Sequence, residues 1–331
     1  MLKWLYKFSE SNFGSGTGTR YPKPTKGFIW IHATAPTVAE LSKIRKDFGL
    51  ADKIFEHFPH EHRSTRYTFR PLTFTIVNYC MVNGRIALEN ILYVVGKNFL
   101  LTITKVQLPH FDEIFSDVVA MLRKMPLNVG YVLYHIMDSD SEETYDVLAV
   151  NERRITELEK SVLTPEQGGK KITAIVTYKR ELLMMWRRFW SSSKIIYSIK
   201  KGITPIAMNE ELIRLFDDVH DTYIHQMEIV SAQRDTLTDA LTIYESVLSN
   251  KLATISNRIN LTIKRLTYIM FVWTAIATIL SIPNTVATIF GIPQWPLTVS
   301  VWQIIALVLL VSAIVPLAWF YLYWKKFKLE A

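Results

Sequence analysis

Residues 266–324 read LTYIMFVWTAIATILSIPNTVATIFGIPQWPLTVSVWQIIALVLLVSAIVPLAWFYLYW, without one Asp, Glu, Lys, Arg or His, whereas the preceding part of the chain has ordinary charge density. One hydrocarbon crossing needs about 20 apolar residues. The stretch therefore holds two crossings, about Leu266–Phe290 and Val301–Tyr323, joined by the uncharged connection Gly291–Ser300. Lys251, Arg258, Lys264 and Arg265 precede the first, and Lys325, Lys326 and Lys328 follow the second. Basic flanks on the outer ends and none between them place both chain termini on the cytoplasmic side. Met1–Glu10 contains no apolar signal region, so the expected location is the plasma membrane, with the bulk of the chain in the cytoplasm.

Upstream of the first crossing no Gly or Pro occurs from Ile206 to Ile282. With no breaker, this segment reads as a long stalk helix that continues into the membrane. Before it, Asp146–Leu163 and Ile172–Lys201 are charged and amphipathic and are separated by Pro165 and Gly168-Gly169. They read as an antiparallel helix pair. Val38–Phe48 reads as a helix after Pro36-Thr37, and Gly27–His32, Leu72–Val82, Ile86–Val95 and Phe99–Thr104 read as strands. The fold class is an α/β cytoplasmic domain with a mixed sheet, a long stalk helix and two C-terminal transmembrane helices. The expected segments are a flexible lead-in (1–26, with Gly14–Thr19, Pro22 and Pro24), the α/β domain (27–130), a helical hairpin (131–205) and the stalk (206–265). Then come the first span (266–290), its connection (291–300), the second span (301–324) and a basic tail (325–331).

The first span carries hydroxyls at Thr267, Thr274, Thr278, Ser281, Thr285 and Thr288, a 7-4-3-4-3 spacing that puts all six on one helix face. Carried backward, the register meets Lys264 and Asn260. Ser and Thr in a membrane helix either pack against neighbouring helices, bonding back to their own carbonyls, or line a polar cavity. A stripe of this length favours the lining of a pore, and because one helix cannot enclose a pore, several copies are needed around an axis. Asn284 lies beside the stripe, and Gly291, Ile292, Pro293 and Gln294 would form the mouth.

The stalk between Ala207 and Asn250 carries nine acidic residues against Arg214 and Arg234. Asp217, Asp221, His225 and Glu228 share one side of it, either as a solvated face or as a regulatory metal site. His57, His60, Glu61 and His62 cluster around Pro59. Such a cluster is either loop polarity or a transition-metal site. The net charge of +8 comes without any nucleic-acid-binding signature, and Cys80 is the only cysteine, so metal ligands would have to be oxygen or histidine. No nucleophile elbow, P-loop or His-Glu-x-x-His motif is present, and an enzyme is not expected.

Trp30-Ile31-His32 with Pro36-Thr37 and Glu40-Leu41 is similar to the opening strand, turn and acidic helix of CorA-type divalent-metal transporters. Asn98–Thr102 resembles a later strand of that family. Asp138, Tyr145, Asn151-Glu152 and Glu157–Glu159 resemble the start of its first long helix. Ser256–Asn260, Lys264 and Ile282-Pro283 resemble the start of its pore helix, and Lys325-Lys326 its basic terminus. The resemblance runs from about Gly27 to the end. It implies a homopentameric funnel that passes divalent cations, in most members magnesium, as substrate and as possible regulator, with no cofactor. The family's Gly-Met-Asn after the first span is here Gly291-Ile292-Pro293, which removes the amide expected to hold a hydrated ion. The same scaffold would also suit a zinc or other transition-metal transporter, or a non-conducting membrane sensor.

Overall fold

The computed structural model describes residues 1–23, 26–56, 65–67, 71–82, 85–162, 168–291 and 299–329. The chain forms two compact units, Met1–Ser246 and Val247–Ala331. The elements of the first unit are β1 (Leu2–Lys7), β2 (Phe13–Thr17), β3 (Phe28–Thr34), α1 (Val38–Phe48), α2 (Lys53–Glu56), β4 (Thr65–Tyr67), β5 (Leu72–Val82), β6 (Arg85–Val95), β7 (Phe99–Thr104), α3 (Pro109–Met121), α4 (Val129–Val162) and α5 (Gly168–Lys200). Helix α6 (Glu210–Phe290) begins in this unit and continues into the second, which also holds α7 (Val299–Leu329).

The seven strands form one mixed sheet in the order β2-β1-β3-β7-β6-β5-β4, in which only β3 and β7 pair in parallel. Successive side chains of a strand point to opposite faces, and both faces here are covered. Phe28, Trp30, Phe74, Tyr93 and Val95 enter a core shared with α3, α4, α5 and α6. Ile29, Ile31, Leu92, Val94, Leu101 and Ile103 enter a second core against Ile44 of α1 and Ile54 of α2. This two-sided burial explains why the strands read as nearly continuous apolar runs. Helix α1 starts at a reciprocal capping box, in which Thr37 Oγ1 accepts from Glu40 N–H at 3.2 Å and Glu40 Oε2 accepts from Thr37 N–H at 2.8 Å.

The N-terminal segment departs from the flexible lead-in expected for 1–26. Residues 2–7 pair with both β2 and β3, and Leu2 and Leu5 are buried in the two cores. Lys7 is also buried, with Nζ donating to the carbonyls of Arg123 at 3.1 Å and Met125 at 2.6 Å. Gly14 and Gly16, which suggest a linker, serve instead as room for aromatic rings, since a Cβ would lie 3.3 Å from the Tyr6 ring at Gly14 and 2.4 Å from the Trp4 indole at Gly16. At Gly27, φ is +73° and a Cβ would lie 2.0 Å from the Lys7 carbonyl oxygen, so the turn into β3 admits only glycine.

Helices α4 and α6 run parallel with α5 antiparallel beside them. Gln226 Nε2 donates to the Ser141 carbonyl at 2.7 Å and Gln233 Nε2 to the Leu148 carbonyl at 3.0 Å, both buried. The two pairs repeat every seven residues on both helices, and such buried amides fix the register of helix packing. Lys200 pairs with Asp217, and Lys179 Nζ donates to Thr238 Oγ1 at 2.8 Å, which sets the opposite direction of α5.

A buried ionic group ties α3 to α4. His110 Nε2 lies 3.1 Å from Asp140 Oδ1 and its Nδ1 lies 3.0 Å from Glu143 Oε2, with the Asn78 amide 2.9 Å from Nε2. Burial alone would lower the His110 pKa, but the two carboxylates outweigh it and lift the pKa from 6.5 to about 9. The group therefore contributes stability that is fully present below about pH 6.5 and is lost as pH rises through about 9. The contribution is on the order of 3 kcal/mol. In thermal melts of the detergent-solubilised protein, the advantage of the parent over His110→Asn should shrink steadily across that window. An advantage that is constant from pH 6 to 9.5 would contradict the assignment.

The N-terminal strand supplies a second expectation. Leu5 is wholly buried, so Leu5→Ala should cost about 2–5 kcal/mol and lower the melting temperature by several degrees. Phe13→Ala, at a residue 38% exposed on the edge strand, should change it far less. Equal melting temperatures for parent and Leu5→Ala would mean that β1 is not part of the folded core.

Candidate functional site

Buried residues of α6 occur only in its N-terminal part, the last being Tyr244. Beyond it, no described residue of the helix is buried within the chain. Asn260, Thr267, Thr274, Thr278, Ser281, Thr285 and Thr288 are all exposed. The half-buried residues of the membrane segment, Phe271, Val272, Ala275, Ile282 and Val286, lie on a different face. There the Phe271 ring approaches Trp319 of α7 at 5.7 Å, and Thr278 and Ile282 line a groove with Leu307, Val311 and Pro316. The chain's own second apolar helix thus lies along an adjacent face that meets the hydroxyl stripe at Thr278, and the stripe residues stay exposed.

Four of these hydroxyls donate to the carbonyl one turn earlier: Thr274 to Met270, Thr278 to Thr274, Thr285 to Ser281 and Thr288 to Asn284, all at 2.8–2.9 Å. This back-bonding is the behaviour of threonine in a packed membrane helix, but it also fixes what the stripe presents. With the hydroxyl proton committed to the backbone, each oxygen turns its lone pairs outward. The face is therefore rich in acceptors and suits a cation or its hydration water. Asn284 is exposed beside the stripe, and Gly291 closes the helix with its N–H on the Ala287 carbonyl at 3.1 Å. Ile292, Pro293 and Gln294 lie outside the described residues.

A pattern that the hydroxyl search passes over extends the stripe. Steps of seven residues back from Thr288 meet Ser281, Thr274, Thr267, Asn260, Ala253, Ser246, Asp239, Ala232, His225 and Asp218. All are exposed, and none is a large apolar residue. A row at seven-residue spacing drifts about 20° per step on a straight helix, so it keeps to one side only where the helix winds left-handedly about an axis. Reading the whole helix, rather than the apolar span alone, would have found it.

Of the four residues expected as a regulatory metal set, Asp217 is paired with Lys200. Asp221 contacts His220 at 3.4 Å, and His225 contacts Glu228 at 3.7 Å. Among the described residues of one chain, no group of three His, Cys, Asp or Glu converges to hold a metal. The face is nevertheless acidic: Asp138 of α4 has its pKa raised by burial, with the Asp218 carboxylate adding to the shift. His57, His60, Glu61 and His62 lie outside the described residues.

The family model for the CorA-like Mg2+ transporter protein matches residues 25–326. This chain belongs to the CorA-like Mg2+ transporter family. It is 24% identical over 306 residues to the cobalt/magnesium transport protein CorA of Thermotoga maritima, covering 85% of this chain and 81% of that protein. Its fold matches the complete CorA magnesium transporter of Methanocaldococcus jannaschii with a TM-score of 0.62 at 16% identity, over 97% of this chain and 98% of that one. The cytoplasmic domain of ZntB from Vibrio parahaemolyticus matches with a TM-score of 0.56 at 12% identity, over 76% of this chain and 98% of that one. The chain is a membrane transporter of the divalent-cation family and not an enzyme, and two of its helices are long and apolar enough to cross a membrane.

Proposed function

We propose that this CorA-like chain assembles as a homo-oligomer, a pentamer by its family resemblance, in the plasma membrane. Both termini are cytoplasmic, and a divalent cation, magnesium in the first instance, passes along an axis lined by α6. The observation that carries this reading is the exposed hydroxyl stripe. Its residues are exposed, α7 of the same chain meets them only at Thr278, and copies of α6 around an axis would give them a water-filled cavity. Left-handed winding of the α6 copies would carry the row from Asp218 to Thr288 along the same axis, with Asp218 and Asp239 as cation-attracting groups on the cytoplasmic side. Basic residues flanking both spans support the orientation.

Ion choice follows from the mouth. Magnesium releases its hydration water reluctantly, so selective capture needs amide or carboxylate oxygens facing that water. Here the mouth residues Gly291, Ile292, Pro293 and Gln294, with Asn284 nearby, offer only two side-chain amides. Selectivity among divalent ions is accordingly weak, and cobalt, nickel or zinc pass as well. A divalent ion that also acts as regulator at Asp221, His225 and Glu228 draws its remaining ligands from a second copy.

Flux into proteoliposomes tests the pathway. Thr278→Leu and Ser281→Leu should each lower divalent-cation flux by roughly tenfold or more, because an apolar constriction dewets a pore. Oligomer mass in detergent should stay unchanged. Undiminished flux in both variants would assign the stripe to helix packing, and a stable monomer would remove the axis altogether. With a panel of magnesium, cobalt, nickel and zinc, the parent should show rates within about an order of magnitude of one another. Strong preference for magnesium that survives Asn284→Ala and Gln294→Ala would refute this account of the mouth.

A further inference from the structure

Within the first unit, a cavity of about 360 Å³ lies between the β5–β6 hairpin and the α4–α5 helices. Ile86, Leu88, Leu182, Met184 and Met185 form its apolar wall. Facing them are the guanidinium groups of Arg154 and Arg188, the hydroxyls of Tyr79 and Tyr178, the Asn151 amide and the Glu181 carboxylate. The volume is that of a small-molecule site, and the mixture of an apolar wall with a few convergent polar groups is typical of one.

The polar side has a surplus of donors. Tyr79 Oη accepts from Arg188 Nη1 at 2.5 Å, so its own hydrogen is directed elsewhere, and among the described residues it meets no acceptor. Asn151 Oδ1 accepts from Tyr178 Oη at 2.9 Å, whereas its Nδ2 meets, among the described residues, only the Met185 sulfur at 3.7 Å, a weak acceptor. Tyr79 and Asn151 are both buried, where an unmet donor is costly. Burial raises the pKa of Tyr79 and of Tyr178, so both phenols keep their protons at neutral pH.

Arg154 and Glu181 line the cavity as exposed residues, and Arg188 is half-buried. Helix α5 carries eight basic residues (Lys170, Lys171, Lys179, Arg180, Arg187, Arg188, Lys194 and Lys200) against Glu181 alone, whereas α4 carries eight acidic residues against Arg153, Arg154 and Lys160. Attraction for an anion is therefore local to the cavity, from Arg154 and Arg188, rather than a field of the whole unit. Such a cavity is matched by a ligand that brings acceptors, negative charge and an apolar or ring-shaped body.

We propose that this cavity binds a small organic anion, a phosphate or carboxylate carried on a planar or apolar body. Arg154 and Arg188 hold the anionic group, the Tyr79 hydroxyl and Asn151 amide donate to its oxygens, and the body rests on Leu182, Met184 and Met185. The cation pathway proposed above plays no part in this reading, so either can fail without the other.

The test uses the full chain in detergent with EDTA present, so that chelation of divalent ions contributes nothing. The probes are adenosine monophosphate, pyridoxal phosphate and benzoate, with inorganic phosphate and adenosine as controls that lack the body or the charge. Thermal melting across a concentration series should show a saturable rise with at least one organic anion and none with the controls. Arg154→Ala and Arg188→Ala should each weaken the apparent affinity by about tenfold or more, with partial retention in Arg188→Lys. Leu88→Trp, at a residue 38% exposed, should abolish the shift by filling the cavity while leaving every polar group in place. The proposal is overturned if no organic anion shifts the melt at millimolar concentration. It also falls if inorganic phosphate or adenosine acts as well as the anions, or if the shift survives in both Leu88→Trp and Arg154→Ala.

Discussion

A polar face on a membrane-crossing helix has to be kept from hydrocarbon, and that constraint organises this protein. Helix α6 satisfies its backbone internally, as any crossing helix must, yet it carries an exposed row of hydroxyls and amides from Asn260 to Thr288 that meets α7 only at Thr278. Back-bonding to the preceding turn removes the donor half of four of these groups and leaves the acceptor half outward. An exposed acceptor in lipid is unfavourable, whereas an acceptor facing water and cations is not. The reading as a transporter in a multi-copy assembly rests on that asymmetry, and family membership gives it independent support.

The N-terminal part of α6 faces a different demand, because the helix has to be held in register before it leaves the folded unit. Apolar packing by Leu212, Phe216, Val219, Tyr223, Val230 and Leu237 supplies adhesion but little register. Register comes from polar groups: the Gln226 and Gln233 amides on α4 carbonyls, the Tyr131 hydroxyl on Glu211 at 2.6 Å, and the Lys200–Asp217 pair to α5. The His110, Asp140 and Glu143 group does the same between α3 and α4. Each loses more when one partner is removed than the pair contributes when whole, which makes these contacts specific rather than simply adhesive.

Much of the fold was legible in the sequence because local rules and tertiary demand agree. Leu72–Val82 and Phe99–Thr104 are strands over the residues that their β-branched and aromatic content marks, and Val38–Phe48 is a helix bounded by its Thr37 capping box and Gly49. Pro283 sits inside α6 without ending it, as happens in membrane helices. Residues 1–26 were misleading because a glycine-rich segment reads the same whether it is a linker or the neighbour of large rings. Only the approach of Trp4 to Gly16 separates the two. For the candidate site, the hydroxyl spacing was visible, but the row of small and polar residues at the same spacing back to Asp218 was obscured because the N-terminal part of the helix reads simply as acidic.

By itself the sequence determined the two apolar segments, the basic residues at their outer ends, the unbroken helix leading into them and the shared face of the hydroxyls, since all of these follow from charge, helix period and the absence of breakers. Only the tertiary structure decided which face α7 covers, that Lys7 and Leu5 are buried, and that Asp217 pairs with Lys200. It also decided that Arg154, Arg188, Tyr79 and Asn151 meet around one cavity, although they come from α4, α5 and β5. The physical reason is the same in each case. Periodicity places a residue on a face of its own element, whereas what that face meets depends on segments tens of residues away in the chain.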